Sequence, residues 1–133
     1  MAGVESMSYV KQVGGEHYEG TEYQHWDMVV DTNMNYLQAC ATKYLLREKE
    51  NRYQDLDKAL SFVKKANLCG IRALHPDDFI SLNYWLEGVD MPVEVEAAIV
   101  YVADADYHEA AILIDKLMDD ECQKEMKGYV NQG

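Results

Sequence analysis

Between Tyr36 and Gly70 the side chains that suit a core recur at intervals of three and four, twice in succession, with a short polar break between the runs. The first run, Leu37, Cys40, Ala41, Tyr44 and Leu45, predicts an amphipathic helix from Tyr36 to about Glu50, because residues three and four apart share one face of a 3.6-residue turn. The second, Leu56, Ala59, Leu60, Val63, Ala66 and Asn67, predicts another helix running to about Gly70, with Lys58, Ser61, Lys65 and Arg72 on the opposite flank. Arg52-Tyr53-Gln54 reads as the connection. Asp55 reads as an N-cap whose carboxylate accepts from an unpaired amide two or three residues on. So short a link predicts an antiparallel helical hairpin.

The flanking chain fits around that hairpin. Residues 1–24 hold Gly14-Gly15, Gly20 and three tyrosines with no sustained period, which predicts an irregular segment. From His25 to about Thr32, Trp26, Val29 and Val30 suggest the apolar face of a short helix that ends at Asn33-Met34-Asn35. His75-Pro76-Asp77-Asp78 marks a new start, since proline suits the first turn and the aspartates complement the helix dipole. Phe79, Leu82, Trp85 and Leu86 form its face, and Gly88 closes it. The stretch from Met91-Pro92 to Ala103 is apolar all round in its second half, as in a buried helix or a buried strand; its length, early proline and Glu94/Glu96 favour a helix. Tyr107 to Met126 reads as a last helix with Ala110, Ala111, Ile114, Leu117, Met118 and Cys122 on one side, followed by Gly128. The expected fold is all-α: one compact domain over 1–133, of five or six helices around the central hairpin. Within it, 1–24 is irregular, 25–74 is the helical core, and 75–133 is a C-terminal helical part offering an oligomer or partner surface. A chain of 133 residues is long enough to bury about two-thirds of its unfolded surface.

Charge is distributed unevenly along this pattern. Eight of the twelve basic residues lie between Lys43 and Arg72, where only four acidic ones accompany them, a local balance of +4. The other 103 residues carry −16, and the whole chain −12. That excess repels nucleic acid and anionic membranes, whose non-specific affinity comes from phosphate neutralisation. No apolar run reaches signal-peptide or membrane-span length, so a cytoplasmic protein is expected. Three cysteines without a C-x-x-C pair suggest buried free thiols, not a disulfide framework or a zinc site. His108 and Asp104 stand four apart, but no third ligand is near in sequence, and no metal site is expected.

A cationic island in an acidic chain points to a small anionic ligand, a nucleotide phosphate being the best fit. Lys43 and Arg47 project alike from one helical turn, Lys58 can face them across the hairpin, and Arg52 lies in the loop between. The competing account is a solvated flank whose charges pair with Glu48, Glu50, Asp55 and Asp57. Gly14-Gly15-Glu16-His17-Tyr18 combines main-chain freedom near a ligand with an imidazole and a ring, or is a tail without a role. Trp26-Asp27 offers a stacking plane beside a carboxylate, or a core residue beside a first-turn acid. Neither a Walker loop nor a dinucleotide-binding glycine turn is present.

The succession Val13-Gly14-Gly15-Glu16-His17-Tyr18, His25-Trp26-Asp27, Lys43-Tyr44-Leu45-Leu46-Arg47 and Asp55-Leu56-Asp57-Lys58-Ala59 resembles a family of small bacteriophage proteins. Its enzymatically described type is the nucleotide kinase of short-tailed coliphages. The likeness covers about residues 11 to 68. It implies phosphoryl transfer to a deoxynucleoside monophosphate in an infected bacterial cell, with a nucleoside triphosphate as donor and magnesium as a candidate cofactor. Where the family often has a basic, glycine-containing segment, this chain has Glu48-Lys49-Glu50-Asn51-Arg52, whose carboxylates weaken phosphate binding locally.

Phosphoryl transfer demands positioning and charge stabilisation more than covalent work. On that basis Lys43, Arg47 and Lys58 are expected to neutralise the phosphates, with Arg52 as a mobile clamp. His17 and the Gly14-Gly15 amides would close over the ligand, and His17 is counted with the catalytic group. Tyr18, Trp26 or Tyr44 would stack on the base, and Asp27 or Asp55 would recruit magnesium or an acceptor group. Two other classes stand beside this one. The chain is alternatively a non-catalytic nucleotide sponge, or an acidic phage protein that docks on a host protein and inhibits it, in which case residues 75–133 carry the function.

Overall fold

The computed structural model describes residues 21–47 and 51–132, with side-chain surroundings for 25–47 and 51–127. Six helices account for these residues: α1 (Thr21–Thr32), α2 (Tyr36–Leu46), α3 (Arg52–Leu68), α4 (Pro76–Glu87), α5 (Val93–Ala103) and α6 (Tyr107–Gln132). No strand occurs among the described residues, so the all-α expectation holds.

The hairpin is the centre of the fold. α3 packs along α2 on one side and along α6 on another, so its buried stripe of Leu56, Ala59, Leu60, Val63 and Ala66 meets both. α5 fits against α6 and α2, and α1 bridges α2 and α4. Met28, Leu45, Leu56, Leu82, Ile99 and Ile114 belong to one continuous core. Replacing such a side chain by alanine costs about 2–5 kcal/mol, because a cavity remains after the transfer energy is lost.

Local chemistry sets the helix ends. Asn35 opens α2: its side chain accepts from the Leu37 amide at 2.8 Å, while Gln38 Oε1 accepts from the Asn35 amide at 3.1 Å. His75 Nδ1 accepts from the Asp77 amide at 3.1 Å, and Pro76 occupies the first turn of α4. α3 ends with Gly70 at φ 65° and an Ile71 N–H to Ala66 C=O bond of 3.0 Å, the six-to-one closure that a left-handed residue permits. α5 ends the same way with Ala105 at φ 57° and Asp106 N–H bonded to Tyr101 C=O at 2.8 Å, although alanine pays a steric cost there.

Several local expectations change. α2 stops at Leu46, and Arg52-Tyr53-Gln54 opens α3 instead of linking the helices. Asp55 is therefore inside the first turns of α3 and buried, not its cap; the cap position belongs to Asn51, whose side chain makes no capping bond. Asn67 is exposed, and α6 continues through Gly128. Thr21 to Gln24 belong to α1, whereas residues 1–20 lie outside the described part. α1 is turned about its axis relative to the sequence reading: Met28 is fully buried with His25 and Thr32, whereas Trp26 and Val30 are 61% and 70% exposed. The reason is hydrogen bonding. His25 and Thr32 both find partners inside, so the polar side of α1 can turn inward. Cys40 is half-buried and Cys69 and Cys122 are exposed, so the expectation of three buried thiols fails.

Candidate functional site

The turn between α2 and α3 is held by the chain's own guanidinium groups. Arg52, first residue of α3, donates through Nη1 to the Arg47 and Tyr44 carbonyls at 2.6 and 3.2 Å, and through Nη2 to the Leu45 carbonyl at 2.8 Å. These are carbonyls that the end of α2 leaves without helical partners, and a cation there also suits the helix dipole. Arg52 is thus a fixed cap rather than a swinging clamp. Arg47 Nε stands 3.9 Å from Asp55 Oδ2, so that buried carboxylate faces a guanidinium. Asp55 serves the fold in this position.

One turn back along α2, Tyr44 gathers charge. Its ring stacks on Phe62 with centroids 5.8 Å apart and planes 7° from parallel. Lys43 Nζ lies 5.5 Å from the ring centroid and Lys58 Nζ, from α3, lies 5.3 Å from it. Each ammonium gains about 0.5–1 kcal/mol from the ring at such a partly solvated place. Two cations from different helices therefore lie near one aromatic ring, with Arg47 one turn further along α2. Phe62 is a contributor that the sequence reading missed, although its place four residues after Lys58 on the hairpin-facing flank was a signal for it.

His25 adds a buried imidazole behind this face. Its Nε2 is 2.8 Å from Thr42 Oγ1. The Thr42 hydroxyl also lies 3.0 and 3.1 Å from the Gln38 and Ala39 carbonyls. His25 Nδ1 is buried with no hydrogen-bond partner among the described residues. Burial, and then the positive charge of Lys43, lower the His25 pKa to about 4, against a smaller opposing effect of the Ala39 backbone. The imidazole is neutral at pH 7.

The remaining expected residues divide. Trp26 lies on the exposed side of α1, and Asp27 beside it is half-buried. Tyr44 is engaged by Phe62 and two ammonium groups. Gly14, Gly15, His17 and Tyr18 lie outside the described residues. Among the described residues no three His, Cys, Asp or Glu side chains gather where a metal ion could be held, and no helix is long and apolar enough to cross a membrane.

A cleft of about 590 Å³ opens elsewhere, between the starts of α3 and α5 and the far half of α6. Its lining includes Arg52 but not Lys43, Tyr44, Arg47 or Lys58, and it mixes Glu94, Asp120 and Glu121 with Lys124 and Lys127. Mixed charge of that kind is poorly suited to a polyphosphate, so the Tyr44 face is the better candidate despite its openness. No family model, curated protein or solved structure matches the chain.

Proposed function

We propose that the α2–α3 face binds a nucleotide and that the protein transfers a phosphoryl group from a nucleoside triphosphate to a deoxynucleoside monophosphate. The observation that carries this reading is the convergence of Lys43 and Lys58 on the Tyr44 ring. Like charges repel, and an anion bridging them turns that repulsion into binding energy. Arg47 extends the positive face by one helical turn, a span suited to successive phosphate groups. The buried, neutral His25 adds no charge of its own and holds Thr42, the residue before Lys43, through a hydrogen bond. In this reading Lys43, Lys58 and Arg47 stabilise charge on the transferring group, and Trp26 stacks on the base. Of Asp27 and Asp55, the two carboxylates considered for magnesium recruitment, Asp55 faces Arg47; such an ion is held chiefly by the phosphates it accompanies.

The test is titration calorimetry with nucleoside mono-, di- and triphosphates, followed by incubation with a monophosphate and a triphosphate together. The expected result is binding by the native chain, product on incubation, and loss of both in a Lys43→Ala/Lys58→Ala variant of unchanged helicity. Binding without product would leave a nucleotide sponge. Affinity retained by the double variant would sink the assignment.

A further inference from the structure

A second pair of surfaces is opposite in charge and carries exposed apolar side chains. Between α4 and α5 runs a groove of about 590 Å³ with Leu86, Val93, Ala97 and Val100 among its lining and Glu87 and Glu96 beside them. It is the exposed side of α5, whose opposite side of Val95, Ala98, Ile99 and Val102 fills the core. Val93 is 75% exposed, and Ile80 and Tyr84 on α4 extend the apolar surface. On α3, Leu68 is 82% exposed, and Lys64 and Lys65 stand one turn before it on the same side. Among the described residues none of Lys64, Lys65, Glu87 and Glu96 belongs to an ion pair. α3 packs on α2 and α6 rather than on α4 or α5, so its own groove is beyond its reach.

We propose that copies of this chain associate head to tail, with the Lys64/Lys65/Leu68 knob of one seated in the α4–α5 groove of the next. Leu68 supplies the apolar anchor, and the two lysines meet Glu87 and Glu96 across the rim. A symmetric contact of groove on groove is disfavoured, because it would set the carboxylates of both copies against one another. A head-to-tail contact leaves one knob and one groove unused at each step, so the assembly closes into a ring or continues as a chain. The ammonium groups over the Tyr44 ring are those of Lys43 and Lys58, and the assembly does not depend on nucleotide binding.

The experiment uses two charge-reversal variants of the full chain, Lys64→Glu/Lys65→Glu and Glu87→Lys/Glu96→Lys. Mass is measured by light scattering after size-exclusion chromatography, and helicity is checked by circular dichroism. The native chain is expected at a multiple of its 15.3 kDa, falling as salt rises. Each variant alone should run as a single chain. Their equimolar mixture should return to an assembly larger than a single chain, since every knob then meets a groove of opposite charge on the other variant. A native chain of single mass at all concentrations overturns the proposal. So does a native oligomer that either variant leaves intact, or a mixture that fails to pair.

Discussion

The hairpin and the helices that follow it handle charge in opposite ways. Residues 43–72 carry +4, whereas residues 76–132 hold fourteen acidic side chains against three basic ones, a balance of −11. In the hairpin the charges serve structure: Arg52 caps α2, Arg47 faces the buried Asp55, and Lys43 and Lys58 sit over Tyr44. In α4 to α6 the carboxylates stand mostly in water, and the Lys124–Glu121 ion pair there is exposed and weak. Net charge by itself is therefore a poor guide to where a site lies. What matters is whether charges of one sign are brought together against an ordered, partly apolar surface.

The contrast depends most on Arg47, which serves both the fold and the basic face. Arg47→Ala is expected to lose nucleotide affinity by about tenfold to a hundredfold and more, the worth of one charge-assisted contact at about 1.5–3 kcal/mol. It should also lose about 1–3 kcal/mol of stability, because Asp55 stays buried without its guanidinium. Adding Asp55→Asn should recover the stability, read by urea denaturation, and leave the affinity low. Recovery of both would show that Arg47 acts on the fold alone.

The joint between the two regions is the second place to break the contrast. Ile114→Ala on α6 and Leu56→Ala on α3 should each cost about 2–5 kcal/mol, both positions being fully buried in the shared core. A single cooperative transition in each variant, seen alike by far-ultraviolet dichroism and tryptophan fluorescence, is expected; separate transitions would split the basic and acidic parts into independent units.

Acidification tests the interior behind the basic face. The His25 pKa is about 4 in the folded state against 6.5 ordinarily, so the unfolded chain binds its proton first. Stability should be full above pH 6.5 and fall by about 3 kcal/mol as the pH drops towards 4, the free energy that corresponds to a pKa lowered from 6.5 to about 4. His25→Asn should flatten this dependence between pH 6.5 and 4, and an unchanged slope would assign it to other groups. The smallest effect belongs to the acidic region. Ala105→Gly should gain up to about 1 kcal/mol, since glycine takes the left-handed conformation without a Cβ penalty, and thermal melting would register a small rise.

The fold was more legible than the site. Leu56, Ala59, Leu60, Val63 and Ala66 share a face by spacing alone, and the capping signals at His75-Pro76 and Gly88 are local, so α3 and α4 could be read directly. α1 could not be read in that way. Its most apolar side, Trp26 with Val30, faces outward because His25 meets Thr42 seventeen residues away, and no periodicity of α1 carries that information. Gln38 is a similar case. Its Nε2 lies within 3.3 Å of the Arg72 and Val102 carbonyls and of Tyr107 Oη, while Tyr107 donates to the Ile71 carbonyl at 3.0 Å. Burial raises the Tyr107 pKa, with the Gln38 hydrogen bond opposing, and the pair ties α2, α5, α6 and the α3–α4 loop together.

That the chain is helical, that its second and third helices form a hairpin, and that positive charge collects there were all written in the amino-acid order. Those properties follow from the spacing of apolar residues and from composition, which act over a few turns. Docking of the helices settled which charges the fold itself takes up. Arg52 and Asp55 were taken up by the α2–α3 turn, whereas Lys43 and Lys58 were brought together over Tyr44. The physical reason is that buried carbonyls and carboxylates must find partners when helices pack, and the nearest guanidinium groups meet that need first.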